Sequence, residues 1–319
     1  MSNVLIVGGA GYIGGALTDL LMNSQHNLRV YDNLLYEESY RKPVDFVRGD
    51  IRDIDRLQPH LKWADTVVWL AALVGDGACA LEPQVTTAIN DSAVKCLSEN
   101  YDGKIIFTST CSVYGAQDGI LTEESPESPL SVYATTKLSA ENYLKRRNAQ
   151  VFRLGTLFGL GDTYSRIRFD LVVNILTVKA LLEEEITVFG GDQYRPLLHV
   201  KDIGRAIFEN VDSEYSGTYN LHFENIRIAS LAGIFVEKFP NLNVKIVDMK
   251  FEDNRNYRVS SEKAISKLGF DPQFGIDQGI DELREVIEEG RIGNVENHRH
   301  SNYQFLKNIS PNLSSSPNG

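Results

Sequence analysis

Short apolar runs alternate with amphipathic stretches through the first half of the chain. Val4–Val7 is apolar throughout and fits a buried strand. Tyr12–Met22 carries Ile13, Leu17, Leu20 and Leu21 at helical spacing. Strands are predicted over Leu28–Tyr31, Asp45–Gly49, Thr66–Ala72, Lys104–Thr110 and Gln150–Leu154. Between them helices are predicted near Asp53–His60, Gln84–Ser98 and Ser131–Arg147. Strands that alternate with helices imply an α/β fold with a parallel sheet covered on both faces. With right-handed crossovers the doubly wound sheet is the default topology.

After about residue 160 the rhythm changes. Helices are predicted over Phe169–Glu185, Ile203–Glu209, Ile228–Lys238 and Asp277–Glu289. Short strands fall in ITVFG, at Thr218–His222 and in NVKIVDM. The pattern divides the chain into a first domain over 1–160, a smaller interlocked α/β lobe over 161–292 and a polar tail over 293–319. The tail closes with NLSSSPNG, and its end is expected to be disordered.

Composition narrows the class. No stretch reaches the ~18 apolar residues of a membrane helix, and the N-terminus enters a strand without a secretion-type signal. The net charge of −11 argues against a general binder of nucleic acid or membrane surface. The three cysteines, Cys79, Cys96 and Cys111, are odd in number and lack C-x-x-C spacing. Neither a disulfide framework nor a metal site is expected, and a reducing cytoplasm suits them. His298 and His300 form an H-x-H pair in the polar tail, read as solvated residues.

Residues 8–14 read GGAGYIG, between a predicted strand and a predicted helix. Gly9, Gly11 and Gly14 satisfy G-x-G-x-x-G; Gly8, Gly11 and Gly14 satisfy G-x-x-G-x-x-G. This context marks a dinucleotide fingerprint, with the pyrophosphate close to the backbone and the helix N-terminus supplying N–H groups. The helix begins with Tyr12 and Ile13. Asp32 ends the second strand, beside Asn33, where a carboxylate suits two ribose hydroxyls and repels a 2′-phosphate. NAD is therefore expected rather than NADP. Asp50 and Ile51 follow the third strand and suit the adenine amino group and ring, or form a plain strand-end turn.

YATTK places Tyr133 and Lys137 on one helix face. A tyrosine with a pKa near ~10 must be shifted by about 4 kcal/mol to act as a base near neutrality; a nearby ammonium and a cationic nicotinamide both favour that. The hydroxyls of Thr108, Ser109, Thr110 and Ser112 crowd the C-terminal end of the fifth strand, where open α/β sheets bind ligands.

GGAGYIG, Asp32, WLAALVG, Asn90, STCSVYG, YATTK, FRLGTLFG and YRPLLHVKDIGRA, in that order, resemble the extended short-chain dehydrogenases/reductases. They are similar to the nucleotide-sugar epimerase/dehydratase branch, over roughly residues 3–285. The resemblance implies a Rossmann domain that binds NAD, with Leu70, Ala71 and Ala72 beside the cofactor, and a lobe that binds a nucleoside diphospho-sugar. It implies a catalytic set of Thr110, Tyr133 and Lys137, with Ser109, Val74 and Asp76 bordering the sugar. Arg195, Arg255 or Arg258, and Asn174 match diphosphate or sugar contacts, and Arg166 and Arg168 border the entrance. The expected reaction is proton removal from the sugar C4 hydroxyl with hydride transfer to NAD. Dehydratases and decarboxylases carry carboxylates just before VYG; this chain has Cys111 and Ser112 there. A 4-epimerase or a 4-dehydrogenase is therefore expected, with a non-catalytic NAD(H)-binding regulator, or a nucleotide-sugar dehydratase or decarboxylase, as the alternatives. Cys111 is read as packing or as an acid/base. A homodimer is implied through the Tyr133/Lys137 helix, with Leu138 and Leu144 as its apolar positions.

Overall fold

The computed structural model describes residues 1–162, 164, 166–247 and 256–313, with side chains up to residue 309. Seven parallel strands form the main sheet: β1 (Asn3–Val7), β2 (Asn27–Asp32), β3 (Asp45–Arg48), β4 (Thr66–Trp69), β5 (Lys104–Thr110), β6 (Ala149–Leu154) and β7 (Gly217–Leu221). Their spatial order is β7-β6-β5-β4-β1-β2-β3. The order reverses at β1/β4, so the crossovers leave a crevice at the C-terminal strand ends. This is the doubly wound Rossmann sheet expected from the alternation.

Burial explains the strands. Val4, Leu5, Ile6 and Val7 are fully buried, as are Val67, Val68, Trp69, Ile105, Ile106 and Phe107. Both faces are covered, by the helices Tyr12–Met22 and Val200–Asn210 on one side and Ala93–Asn100 and Val132–Leu144 on the other. β4 ends at Trp69, short of the predicted Ala72. There the N–H groups of Leu70 and Ala71 both turn to the carbonyl of Val7, which carries the chain out of the sheet. The predicted helix at 84–98 is continuous but wound as a π-turn over Ala88–Ser92.

The smaller lobe contains a three-stranded sheet of Glu224–Arg227, Tyr194–His199 and Thr156–Phe158, and a pair formed by Glu185–Phe189 and Asn243–Val247. Helices Val172–Leu182, Ile228–Lys238 and Ile276–Glu288 close its core around Phe158, Leu197 and Phe235. The interlocking is physical. The strand predicted at Thr218–His222, read as part of the lobe, is β7 and pairs with β6 in the main sheet. The helix Val200–Asn210 likewise packs on the first domain, through Val200, Ile203 and Ile207.

The tail is also built in. A 3₁₀ turn at His298–His300 leads into a helix at Asn302–Leu313, and Phe305 and Leu306 are buried. His300 packs on Phe169 at 4.8 Å and is partly buried, while His298 stacks on Phe305 at 5.7 Å and stays exposed, as the solvated reading expects. The terminal residues 314–319 lie outside the described part. Among the described residues no helix is long and apolar enough to cross a membrane, and no His/Cys/Asp/Glu group could hold a metal.

Candidate active site

A cavity of about 1090 Å³ runs along the C-terminal ends of the strands and into the smaller lobe. Its floor begins at the glycine run, and the three glycines there do different work. Gly8 has φ +85°, and a Cβ on it would run into the Ala71 backbone at the end of β4. Gly14 would collide with the Gly9 backbone. Both serve close packing of turn, helix and strand. At Gly11 a Cβ would meet only the Gly8 carbonyl, at 3.2 Å, so this face is bare toward the cavity. Gly11 is the N-cap of the helix Tyr12–Met22, whose first-turn N–H groups have no helical acceptor. That is the geometry of an anion cradle. Tyr12 reaches out of it, its hydroxyl donating to the Gly159 carbonyl.

Asp32 anchors the cradle. Its carboxylate accepts from the N–H of Ala10 at 3.0 Å and of Leu34 at 2.7 Å. Burial raises its pKa, and the backbone donors oppose that. The second turn holds Leu34 at φ 58°, a left-handed conformation costly for leucine. Asn33 caps its own turn by accepting from Leu35 N–H at 3.0 Å. Asp50 is gripped by Arg52, at 3.0 and 2.7 Å. Burial alone would raise its pKa, but the guanidinium and its hydrogen bonds outweigh that and hold it below the ordinary value. Ile13, Asp50, Ile51, Leu70, Ala71 and Ala72 all line the cavity with Asp32 and Asn33.

Tyr133, Lys137 and Thr110 meet on the opposite wall. Ser131 caps the helix Val132–Leu144, accepting from Ala134 N–H at 3.1 Å, and its hydroxyl donates to Asp76 at 2.6 Å. Lys137 is 2% exposed; its Nζ donates to the Thr108 carbonyl at 2.8 Å and lies 4.5 Å over the Phe107 ring. Burial pushes its pKa down to about 8. Burial raises the Tyr133 phenol, Cys79 and Asp76 add to that, and Arg168 and the Thr110 hydroxyl work against it. Among the charged groups that act on the phenol, Asp76 raises it and Arg168 lowers it. Thr110 also caps the turn Cys111–Tyr114 through Ser112 N–H, at 3.1 Å. Asn90, in the π-turn, exchanges two 2.8 Å hydrogen bonds with the Leu73 backbone and so fixes the loop carrying Val74 and Asp76 along the cavity.

Several expected contacts go elsewhere. Ser109 reaches the lining, but its hydroxyl donates to Glu141, which is ion-paired with the buried Arg153 at 2.6 Å. Asn174 is fully buried and does not line the cavity: its amide accepts from Gly159 N–H at 2.9 Å and donates to the Arg168 carbonyl at 2.7 Å. It holds the turn before the helix, leaving no polar atom to offer a ligand. Arg258 also stays outside the lining and lies 4.9 Å over the Tyr194 ring; Arg255 lies outside the described residues. Cys111 is fully buried, its thiol donates to the Arg153 carbonyl at 3.2 Å, and burial raises its pKa. It packs; it is no acid at neutral pH. Leu144 is 1% exposed inside the main core and Leu138 packs against the chain's own Val113 cluster, so neither forms an outward apolar face for a dimer.

Three of the expected arginines do reach the lining. Arg195, Arg166 and Arg168 are all buried and all line the cavity. Arg168 is paired bidentately with Asp170, at 2.9 and 3.1 Å. Arg166 lies 3.6 Å over the Tyr36 ring, and burial, then the Arg168 charge, lower its pKa to about 10. Lys179, Tyr257, Asn302 and Tyr303 complete this lining and were not singled out from the sequence. Tyr257 shares a 3.2 Å hydrogen bond with Ser112.

The comparisons agree with this architecture. The UDP-glucose 4-epimerase of Corynebacterium glutamicum is 23% identical over 321 aligned positions, covering 90% of this chain and 94% of that protein. UDP-glucuronic acid decarboxylase 3 of Arabidopsis thaliana is 26% identical, over 88% of each. The solved complex of MoeE5 with UDP-glucose and NAD superposes with a TM-score of 0.75 at 25% identity, covering 90% of this chain and 99% of that one. UDP-glucuronic acid 4-epimerase from Bacillus cereus, complexed with UDP-glucuronic acid and NAD, gives 0.77, with the same identity and coverage. The model of the NAD dependent epimerase/dehydratase family matches residues 4–222, well over half of the sequence, and the chain belongs to that family.

Proposed function

We propose that the protein oxidises the C4 hydroxyl of a nucleoside diphospho-sugar, as a 4-epimerase or a 4-dehydrogenase. The carrying observation is that Tyr133, Thr110 and Lys137 share one cavity with the glycine cradle, while Cys111 and Ser112 stand before Val113-Tyr114-Gly115 where the family's dehydratases and decarboxylases carry carboxylates. The family is NAD dependent, and the cradle fits that cofactor. The bare face of Gly11 and the helix N-terminus suit its pyrophosphate, and Asp32 suits its adenosine ribose. When bound, NAD⁺ supplies the hydride acceptor and a positive charge beside the phenol.

Tyr133 takes the hydroxyl proton. Its burial keeps the phenol protonated in the protein alone, so a cationic neighbour is what makes it basic. Thr110 orients the hydroxyl, and Lys137 holds the nicotinamide ribose. Arg195 meets the diphosphate, Arg166 and Arg168 border the entrance, and Asp76 and Val74 border the sugar. An epimerase rotates the 4-keto sugar and reduces its other face; a dehydrogenase releases it. Relatives include decarboxylases and solved structures include dehydratases, so product identity decides. The test is incubation with UDP-, GDP-, dTDP- and CDP-sugars, with absorbance at 340 nm followed and products identified by NMR. Loss of carbon dioxide or water from the sugar would refute this reading. Absence of any turnover would favour an NAD-binding regulator. A cytoplasmic homodimer completes the proposal; the three free cysteines suit that compartment, and the family resemblance alone supports the dimer.

A further inference from the structure

The chain after the helix Ile276–Glu288 returns to the cavity and is fastened there at several points. Asn302 donates its N–H to Asp170 at 2.8 Å and its side-chain amide to the Val74 carbonyl at 2.7 Å. Further on, Leu306 is fully buried in the cluster of Leu73, Ala78 and Cys79, and Phe305 packs 4.9 Å from the Tyr36 ring. Between these anchors stands Tyr303. It lines the cavity yet is 40% exposed. Its ring edge lies 3.4 Å from where a Cβ on Gly77 would sit. Gly77 follows Asp76, which is tied through Ser131 to the helix that carries Tyr133. The ring is thus at the end of the cavity where the proposed oxidation occurs.

We propose that Tyr303 is a substrate-positioning residue, its ring covering the sugar of the nucleoside diphospho-sugar; the assignment rests on the function proposed above. A tyrosine needed only for folding would be buried like its neighbours Phe305 and Leu306. This one is held by buried anchors on both sides, so little freedom is lost when it meets a ligand. Its face suits the C–H side of a sugar ring and its hydroxyl a sugar hydroxyl. The family match ends at residue 222, so this contact belongs to a part of the chain that the match does not reach.

Calorimetry on the full chain tests it, with UDP-, GDP-, dTDP- and CDP-glucose and the matching free nucleoside diphosphates as probes. Tyr303→Ala is expected to weaken the bound nucleotide sugar about five- to tenfold. The free diphosphate, NAD and the melting temperature should be unchanged, and Tyr303→Phe should lose less. Equal weakening of sugar nucleotide and free diphosphate would make the residue merely structural and overturn the assignment. So would unchanged affinity for both. If the wild-type protein bound no member of the panel, the underlying reading would fall, and this assignment with it.

Discussion

Lys137→Met is the substitution whose consequences can be worked out furthest. Burial pushes the ammonium from its ordinary 10.5 to about 8. At about 1.4 kcal/mol per pH unit, holding that charge in place costs the folded protein roughly 3 kcal/mol. The sign follows from proton counts. Between pH 8 and 10.5 the unfolded chain binds more protons at this residue than the folded one, so stability rises with pH there. Below pH 8 the whole cost is present. Methionine keeps the stem and the contact with the Phe107 ring, removes the charge, and abandons the hydrogen bond to the Thr108 carbonyl. The lost hydrogen bond costs about 1 kcal/mol, and the lost cation–ring attraction about as much. The net gain is about 1–2 kcal/mol.

The assay is thermal unfolding of NAD-free protein from pH 6 to 10. The variant is expected to melt about 1.5–3 °C above the wild type at pH 7. The difference should be flat below pH 8 and shrink above it, as the wild type sheds its proton. Turnover should collapse in the same variant and NAD should bind more weakly, because the ammonium is kept for the ribose and not for the fold. A variant that melted below the wild type at pH 7, or a gap unchanged up to pH 10, would refute the reasoning.

Tyr133→Phe should fold and bind NAD and substrate normally while turnover falls about 10²–10⁴-fold; because burial raises the wild-type phenol, wild-type turnover should climb with pH across neutrality, and stopped assays from pH 6 to 9 check both. NAD should bind more tightly than NADP by a few kcal/mol, since the Asp32 carboxylate would face the 2′-phosphate; titration of both cofactors decides, and equal affinities would remove Asp32 from the ribose site. Arg195→Ala should weaken sugar-nucleotide binding by about 1.5–3 kcal/mol and spare NAD, which calorimetry on the variant reads directly.

What could be read from the sequence was what depends on local spacing. Tyr133 and Lys137 share a face because they are four residues apart on a helix, and GGAGYIG sits between strand and helix because the flanking periods say so. Ser109 could have been placed by the same logic. Successive residues of a strand point to opposite faces, so the Ser109 hydroxyl could not point where that of Thr110 does. Its partner, the buried Glu141–Arg153 pair, was out of reach because the two lie on different elements. β7 was assigned to the smaller lobe for a similar reason: its pairing with β6 spans an intervening lobe, and no local pattern encodes it. Asn174 was misread because its fully buried amide has backbone partners that only the folded turn supplies. In the tail, Tyr303, Phe305, Leu306 and Ile309 carry a weak helical period inside a polar stretch. Composition hid it.

Two sets of groups in the cavity lining bind charge by different means, and this bears on which phosphate goes where. At the glycine end the lining holds Asp32 and Asp50, with Arg52 spent on Asp50. An anion there relies on the helix N-terminus and backbone N–H groups, whose attraction falls off within a turn. Elsewhere in the lining stand Arg195, Arg166, Arg168 and Lys179, with Asp170 and Glu37 among them. A chain with a net charge of −11 repels a free dianion at long range, so guanidinium groups in the lining are needed where a ligand must be recaptured at each turnover. A cofactor that stays bound needs no such capture, and a cradle without arginine suffices for it. On the proposed reading the arginines therefore belong to the exchanging ligand. On the same reading the sugar-specific part of recognition lies where Asp76, Gly77 and Tyr303 meet the cavity.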